Sequence, residues 1–420
     1  MTGPSCSRSA SGSEEAVRAA AEAGRARWHI LALHGAAVIA VCYGFARYAF
    51  GLFGEEFQRD FSLSATGLGI LGGISTAGYA AGLVLGPRVA QRSPQGAVLA
   101  AGALSVAGIA AMLVAQGVIA FGAGVALAGS SAGLASPGVA QLINRSVPGP
   151  ARHSAQTWAN TGTSFGLLVT AFTPLVPLDW HWSWTGFCVI AGLVTMVFAA
   201  WRGRLSPLSV ARGTGAEQPA IHLGRTGPER RELLITSLLL GMTSAPYWNF
   251  SQLRLADAGV TGLAATTCWF MIGAAGILGG VAGRVASVAG LRRAQLAFCA
   301  PWTLSSGLLA LPWLPYPAAL VSAALFGMSY MALSGLCILR AERCFRTSSF
   351  GVTVSFFGLA IGQAGAAPLV GMVADRVGLA PAFALSAAVS LALLAVLPGR
   401  PGSGRPEAGR GLAHAGSASR

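Results

Sequence analysis

Charged residues are scarce in this chain of 420 residues, since they make up 10% of it and lysine is absent altogether. Soluble domains carry about 25% charged residues, which is far more than this chain could offer to water. The mean hydropathy of +0.62 agrees with that comparison. Together these values exclude a disordered protein, a disulfide-rich secreted scaffold and an ordinary soluble enzyme, and they indicate a polytopic helical membrane protein.

Paired cysteine motifs are also absent. The seven cysteines form no C-x-x-C or Cys/His pair. Most of them lie inside apolar runs, where a thiol behaves as a small hydrophobic side chain. We therefore expect neither a metal centre built on cysteine nor a cofactor. Asp179 and His181 could offer two ligands to a metal ion, but one carboxylate and one imidazole make a weak site.

Between residues 29 and 398, apolar segments alternate with short charged breaks. A helix needs about 20 apolar residues to cross the hydrocarbon of a bilayer, and strands of a membrane barrel would appear as alternating segments of about 10 residues. The predicted fold class is therefore all-α, a polytopic membrane protein with twelve transmembrane helices. The predicted spans are 29–53, 64–87, 95–116, 118–143, 155–177, 184–201, 233–253, 263–283, 294–313, 317–339, 349–372 and 380–398.

The longest internal break divides these spans into six plus six. Weak similarity at an offset near 200 accompanies the division, because residues 43–50 can be laid over residues 243–250. Two six-helix pseudo-repeats are a transporter architecture. The predicted domains are a polar tail 1–28, an N-terminal six-helix bundle 29–201, a linker 202–232, a C-terminal six-helix bundle 233–398 and a second polar tail 399–420.

The distribution of arginine explains the net charge of +14. Summed over the predicted loops, 24 of the 28 arginines lie on the side of both termini and three lie on the other side. Basic loops stay in the cytoplasm, so the positive charge fixes orientation and does not indicate nucleic-acid binding. Arginine in place of every lysine, together with abundant Ala and Gly, is typical of a high-GC bacterial genome. We expect a multi-pass protein of the bacterial inner membrane with both termini cytoplasmic.

Twelve spans, a six-plus-six division, cytoplasmic termini and a long basic central loop together resemble the major facilitator superfamily. That family carries a conformational motif, G-x-L-A-D-R-x-G-R-R, after its second helix. Here Gln91 stands at the acidic position and is followed by Arg92. In the second half Gly283 and Gly290 match the glycines of the motif, while Ser287 replaces the acid. The resemblance implies a charge network that holds one conformation, built here without its carboxylate.

Other strings bear on this resemblance. A fuller copy of the motif, residues 371–378 with Asp375, falls on the predicted outer face and is interpreted as an accidental echo. The fifth span has Leu167 where the antiporter pattern of the family has proline, which argues against proton-driven multidrug export. The first span resembles that of a bacterial subgroup with unknown substrates. The G-x-S-x-G string at 129–133 and the tandem G-x-x-x-G at 78–86 are interpreted as helix packing.

Arg47 is the one charged residue well inside a predicted span. A central arginine costs about 2.5–3.5 kcal/mol on insertion scales, so it should face a cavity or a partner. One interpretation is a ligand for an anionic substrate, because the guanidinium fork matches a carboxylate or phosphate. The alternative is snorkelling toward the outer interface, or pairing with Glu55 or Glu56. On a regular helix Tyr43 would share the face of Arg47, and Tyr48 would point about 100° away.

Further polar residues follow from the resemblance, because helices 1, 4, 7 and 10 line the central cavity in that family. The resemblance therefore nominates Gln141, Trp248, Asn249 and Tyr330 as substrate contacts beside Arg47 and Tyr43. Asn160 and Gln363 are the other amides at membrane depth. For each of these residues the alternative is an interhelical hydrogen bond.

The predicted spans contain no Asp or Glu, and apart from His29 at the first position of a span, His34 is the one histidine within them. We expect a secondary active transporter that moves a small organic solute by alternating access, with Arg47 indicating an anion. A non-transporting receptor or scaffold with a carrier fold is an alternative, and an integral membrane enzyme is a weaker one because no convergent polar constellation is visible. The expected partners are a small-molecule substrate and the lipid bilayer, with a coupling proton left open, and the expected state is a monomer.

Overall fold

A computed structural model of the chain describes residues 28–147, 149–173, 179–203, 227–345 and 348–395. Both predicted polar tails lie almost wholly outside these ranges, as does most of the predicted linker. The regular structure within the ranges is helical and includes no strand. The helices are α1 (Trp28–Phe61), α2 (Ala65–Arg92), α3 (Pro94–Leu113), α4 (Val118–Ser146), α5 in two segments (Gly149–Asn160 and Gly162–Thr170), α6 (Trp180–Trp201), α7 (Pro228–Asp257), α8 (Gly262–Ala289), α9 (Leu291–Leu309), α10 (Tyr316–Cys344), α11 (Ser348–Val377) and α12 (Leu379–Leu394).

These helices have the composition of membrane spans. Eight of them, α1, α2, α3, α4, α6, α8, α10 and α11, are long and apolar enough to cross a bilayer. Large apolar side chains such as Ile119 and Leu33 are exposed, while Trp184, Trp269 and Trp302 are buried inside. An apolar exterior around a tightly packed interior is what lipid requires. The all-α prediction is confirmed, and each predicted span overlaps a helix.

Glycines bring α2 and α4 into close contact. A side-chain carbon at Gly78 would overlap the carbonyl oxygen of Ala126, and one at Gly133 would overlap the carbonyl oxygen of Tyr79. Small residues allow membrane helices to approach at backbone distance. The interpretation of both glycine strings as packing is confirmed.

Two contacts between helices of the first and second predicted halves lie in equivalent positions. A Cβ placed on Gly73 of α2 would lie 2.8 Å from the carbonyl oxygen of Ala364 in α11. A Cβ placed on Gly273 of α8 would lie 3.1 Å from the carbonyl oxygen of Ser164 in α5. Gly273 lies 200 positions after Gly73, and Ala364 lies 200 positions after Ser164. The two contacts therefore join equivalent positions of the two predicted halves.

Helix α1 departs from regular geometry in its middle, which the sequence analysis did not anticipate. A π-helical segment, Ala40–Phe45, is followed by a 3-10 segment, Tyr48–Phe53, and Arg47 lies between them with φ −111° and ψ −58°. Close approach accompanies the irregularity, since a Cβ on Gly44 would lie 2.5 Å from Cα of Gly166 in α5. π-Helical turns are rare and frequent at functional sites.

Candidate functional site

Arg47 lies inside the bundle, and its side chain reaches neutral partners on two helices. Nη2 donates to Oε1 of Gln363 in α11 at 2.7 Å, and Nη1 donates to the hydroxyl of Tyr48 at 3.0 Å. The guanidinium carbon lies 3.9 Å from the ring centre of Tyr79, which is within cation–π distance. Arg47 is only 6% exposed and donates to Gln363 and Tyr48, so in this structure it neither snorkels to the outer interface nor pairs with the acidic residues at the end of α1.

A hydrogen-bonded network extends from this guanidinium. Nε2 of Gln363 donates to Oγ of Ser244 in α7 at 2.8 Å. The hydroxyl of Tyr48 pairs with that of Tyr330 in α10 at 3.2 Å. The hydroxyl of Tyr43 pairs with Oγ of Ser136 in α4 at 2.8 Å. The network therefore ties α1 to helices of both halves of the sequence.

Two further arginines are buried, Arg254 and Arg340, with exposed fractions of 2% and 3%. Both were assigned to loops from the sequence, whereas the structure places them near the ends of α7 and α10. Arg47 remains the one charged residue inside a predicted span, but it is not the one buried arginine of the described residues. Arg340 pairs with Glu232 at 3.1 Å, and Arg254 pairs with Asp257 at 3.1 Å and donates to two backbone carbonyls. Among the three, Arg47 has no acidic partner within the described ranges. A buried cation without a counter-ion is costly, which favours a functional reason for it.

A small cavity lies beside Arg47. Its volume is about 20 Å³, which holds about one water molecule, so a solute can enter only when the surrounding helices move apart. The cavity is bounded by side chains of α1, α2, α7 and α11. The lining residues are Arg47, Tyr48, Phe50, Gly51, Gly72, Ser75, Thr76, Trp248, Asn249 and Gln363.

Two glycines allow α7 to reach this cavity. A Cβ on Gly51 would overlap the carbonyl oxygen of Trp248, and one on Gly72 would overlap the side-chain oxygen of Asn249. The indole of Trp248 stacks on Tyr48 with ring centres 4.0 Å apart. The amide nitrogen of Asn249 donates to the carbonyl oxygen one turn earlier at 2.8 Å. Helix α7 runs without a break through its internal proline.

The structure brings together six of the eight residues predicted to bind substrate. They are Arg47, Tyr43, Trp248, Asn249, Tyr330 and Gln363. The other two lie apart from Arg47. Asn160 is exposed on α5 and accepts a hydrogen bond from Gln156 at 3.1 Å. Gln141 is half-buried on α4, beyond Ser136 toward the end of that helix.

The structure also adds residues that sequence reasoning missed. Tyr48, which a regular helix would turn away, lies against Arg47 because α1 is irregular there. Tyr79, Ser75 and Ser244 come from α2 and α7. The sequence did carry one indication of these residues, which is the rarity of tyrosine. It has only six tyrosines, and four of them lie in this network. His34 lies elsewhere, at the exposed start of α1, where Nδ1 contacts the carbonyl oxygen of Ile30 at 2.8 Å.

The predicted conformational motif lies at the face of the bundle where α1 begins, here called the proximal face. Gln91 and Arg92 are exposed at the end of α2, and Arg145 donates to the backbone carbonyl of Gln91. In α8 Gly283 and Ser287 are also exposed. Gly290 joins α8 to α9 with φ +85°, a left-handed conformation that favours glycine.

Asp375 lies at the opposite, distal face, where α1 ends. Its carboxylate accepts backbone N–H bonds from Ala65 at 2.8 Å and from Thr66 at 2.9 Å, and it also accepts the hydroxyl of Thr66. These are free donors of the first turn of α2, so Asp375 of α11 caps a helix of the other half. Whatever the origin of the motif copy in α11, its acidic residue makes a contact between the two halves of the sequence.

Asp60 joins Asp179 and His181 at the distal face, and their ligand atoms lie within 4.8 Å of one another. The backbone N–H of His181 and its ring both bond to Asp179 and hold the pKa of that carboxyl below its usual value. Asp60 accepts a bond from the indole of Trp180 at 2.6 Å. All three residues are exposed, and Asp60 bonds to Trp180 whereas Asp179 and His181 bond to each other.

An apolar helical bundle whose unpaired buried cation lies among helices from both halves of the sequence has the form of a membrane transporter. The sequence profile of the Major Facilitator Superfamily matches residues 36–362. The chain therefore belongs to that family, and the resemblance drawn from its spans and loops is confirmed. No curated relative matches the sequence.

Solved transporters share the fold. The nucleoside transporter NupG gives a TM-score of 0.67 at 14% identity, covering 87% of this chain and 98% of that one. The peptide transporter POT in complex with sulfate gives 0.69 at 15% identity, covering 88% and 94%. The partially occluded, inward-open xylose transporter XylE from E. coli gives 0.68 at 13% identity, covering 88% and 96%. As a member of the Major Facilitator Superfamily, the protein is a multi-pass secondary transporter and not an enzyme.

Proposed function

We propose that the protein carries a small organic anion by alternating access, with Arg47 as the charged group of the binding site. The observation that carries the proposal is the burial of Arg47 among neutral partners from both halves of the sequence. An anion that enters the cavity would replace the amide oxygen of Gln363 as the acceptor for the guanidinium. Because Gln363 belongs to α11 and Arg47 to α1, such an exchange would couple binding to the relative position of the two halves.

The proposed architecture is twelve crossings in two six-helix repeats, working as a monomer in the lipid bilayer. Its support is the pair of equivalent contacts, Gly73 with Ala364 and Gly273 with Ser164, at the same offset. Parallel repeats of this kind rock against each other about a central site. The arginine bias of the loops supports cytoplasmic termini in a bacterial inner membrane.

The contacts at the distal face support a state closed on that side. Asp375 of α11 caps α2, and Trp269 of α8 donates to Oγ1 of Thr170 in α5 at 3.0 Å. Both contacts join the first half to the second. In the proposed cycle they break when the distal face opens, while the proximal ends of the helices approach.

The test is uptake into proteoliposomes that contain the purified chain. The probes are radiolabelled carboxylates, phosphate monoesters, nucleosides and sugars, each offered separately. We expect uptake of an anionic probe that falls at least ~tenfold in Arg47→Ala, since a hydrogen bond to a charged group contributes about 1.5–3 kcal/mol. Arg59→Ala is the matched control, because Arg59 is an exposed arginine of the same helix.

Uptake of neutral probes alone, undiminished in Arg47→Ala, would contradict the anionic site. Binding of an anion without flux would contradict transport and support a receptor instead.

A further inference from the structure

Two residues that line this cavity together with Arg47 each carry a buried polar side-chain atom without a hydrogen-bond partner. Oγ of Ser75 in α2 and Nε1 of Trp248 in α7 are both unpaired, and their residues are 4% and 5% exposed. Both residues line the cavity that also exposes Arg47. An unpaired buried polar group carries its full desolvation cost, so a partner that arrives with the solute would recover that cost.

Most other polar groups of the residues that line the cavity already make hydrogen bonds. The hydroxyl of Thr76 donates to the carbonyl oxygen of Gly72 at 3.0 Å, and the amide nitrogen of Asn249 donates within α7. Gln363 accepts from Arg47 and donates to Ser244. What remains unused is the indole N–H of Trp248, the hydroxyl of Ser75, N–H groups of the guanidinium, which has five donors in all, and the amide oxygen of Asn249.

Apart from that amide oxygen, every member of this remaining set can donate a hydrogen bond, and the set carries one positive charge. An ionised carboxylate is its complement, because it offers two acceptor oxygens with about four lone-pair positions and one negative charge. A neutral sugar or nucleoside would leave the charge of Arg47 unmatched. A phosphate monoester would bring about two negative charges to a single cation.

We propose that Ser75 and Trp248 determine specificity together with Arg47, and that the transported solute is a monocarboxylate bound in its ionised form. The inference rests on the proposed function and names its substrate class. Arg47 donates from α1, Ser75 from α2 and Trp248 from α7, so helices of both halves bind the carboxylate. Trp248 can only donate, which excludes an ammonium group from the same position.

The chain offers matched controls for both residues. Oγ of Ser105 and Nε1 of Trp184 are also buried without a partner, and both residues are 0% exposed. Neither residue lines the cavity. Substitution at these positions removes the same chemical group from an equally buried place, so it separates recognition from burial.

The experiment measures the melting temperature of the purified full-length chain with pairs of probes at equal ionic strength. The pairs are acetate with acetamide, benzoate with benzamide, and phenylacetate with phenylacetamide. We expect at least one carboxylate to raise the melting temperature while its amide does not. The Kd of that carboxylate should rise about tenfold in Ser75→Ala and in Trp248→Phe, which is the size of one hydrogen bond to a charged group.

Ser105→Ala and Trp184→Phe should leave the same Kd within about twofold, since substitutions away from a site leave it nearly unchanged. If Ser75→Ala lowers the melting temperature of the ligand-free chain, Ser75→Cys is measured in its place, because a thiol is a weak donor of similar size. The inference is overturned if no carboxylate stabilises the chain, if amides stabilise it equally, or if all four substitutions act alike. Anion uptake that depends on Arg47 but not on Ser75 and Trp248 would overturn it while the proposed function stands.

Discussion

The guanidinium of Arg47 in α1 donates to the amide oxygen of Gln363 in α11 across 2.7 Å, and this bond joins the two halves of the sequence. A carboxylate at position 363 would neutralise the arginine permanently. An amide satisfies its hydrogen bond and leaves its charge uncompensated. The contrast with Arg340, which pairs with Glu232, shows that the same chain supplies a counter-ion where it needs a fixed structural contact.

Gln363→Glu should therefore abolish anion binding. The new carboxylate would lie within hydrogen-bond distance of Arg47 and compete with any anion, so we expect Kd for a bound anion to rise at least ~tenfold. The ligand-free melting temperature should rise or stay constant, because the buried cation gains a counter-ion. Calorimetric titration and thermal unfolding measure both quantities. Gln156→Glu is the control, because it makes the same change on α5 away from Arg47, and it should leave the Kd of the anion unchanged. Equal effects of the two substitutions would contradict the role of Gln363.

Gly51 and Gly72 should respond differently to alanine. In Gly51→Ala the new carbon meets the backbone carbonyl of Trp248, so α1 and α7 must separate, and overpacking of this kind costs about 1–3 kcal/mol. In Gly72→Ala the new carbon meets the side chain of Asn249, which can rotate away. We expect Gly51→Ala to lower the melting temperature strongly, and Gly72→Ala to alter solute affinity with a smaller loss of stability. Gly186→Ala has open space around it and is the control.

Hydropathy alone predicts the helical class and the spans, because a span must be apolar along its whole length. The same pattern marks Arg47, since a charge inside such a span stands out. It does not reveal the π-helical turn before Arg47, which accompanies the backbone contact of Gly44 with Gly166. It also misplaces Arg340 in a loop, because the partner that keeps this arginine inside, Glu232, lies on another helix. Tertiary contacts between distant positions decide both features.

The buried pair of Arg340 and Glu232 should contribute more to stability than the pair of Arg254 and Asp257. Glu232 is only 28% exposed. Glu232→Gln leaves the buried guanidinium of Arg340 without its counter-ion, and although two neutral side-chain acceptors remain, the loss should cost about 1–3 kcal/mol. Asp257 is 60% exposed, and Arg254 keeps two backbone carbonyl acceptors in Asp257→Asn, so about 0–1 kcal/mol is expected there. Thermal unfolding of the two variants in one detergent gives the order. A larger loss in Asp257→Asn would contradict this account of the two arginines.

Asp375 should stabilise the state that is closed at the distal face. Its carboxylate accepts N–H bonds of the first turn of α2 only while α11 lies against that helix, and loss of a side-chain acceptor at a helix N-terminus costs about 0.5–2 kcal/mol. Asp375→Ala should therefore shift the population toward distal opening by a factor of about 2–30.

The shift can be measured on Thr76→Cys, whose position lines the central cavity, with a membrane-impermeant thiol reagent added from the distal side. Labelling should be faster in the background of Asp375→Ala than in the parent, and Asp375→Asn should be intermediate because one acceptor oxygen remains. Arg376→Ala removes the neighbouring exposed charge and is the control. Equal labelling rates in the parent and Asp375→Ala would show that the cap stabilises α2 equally in both states, and that the motif copy in α11 does not control the distal face.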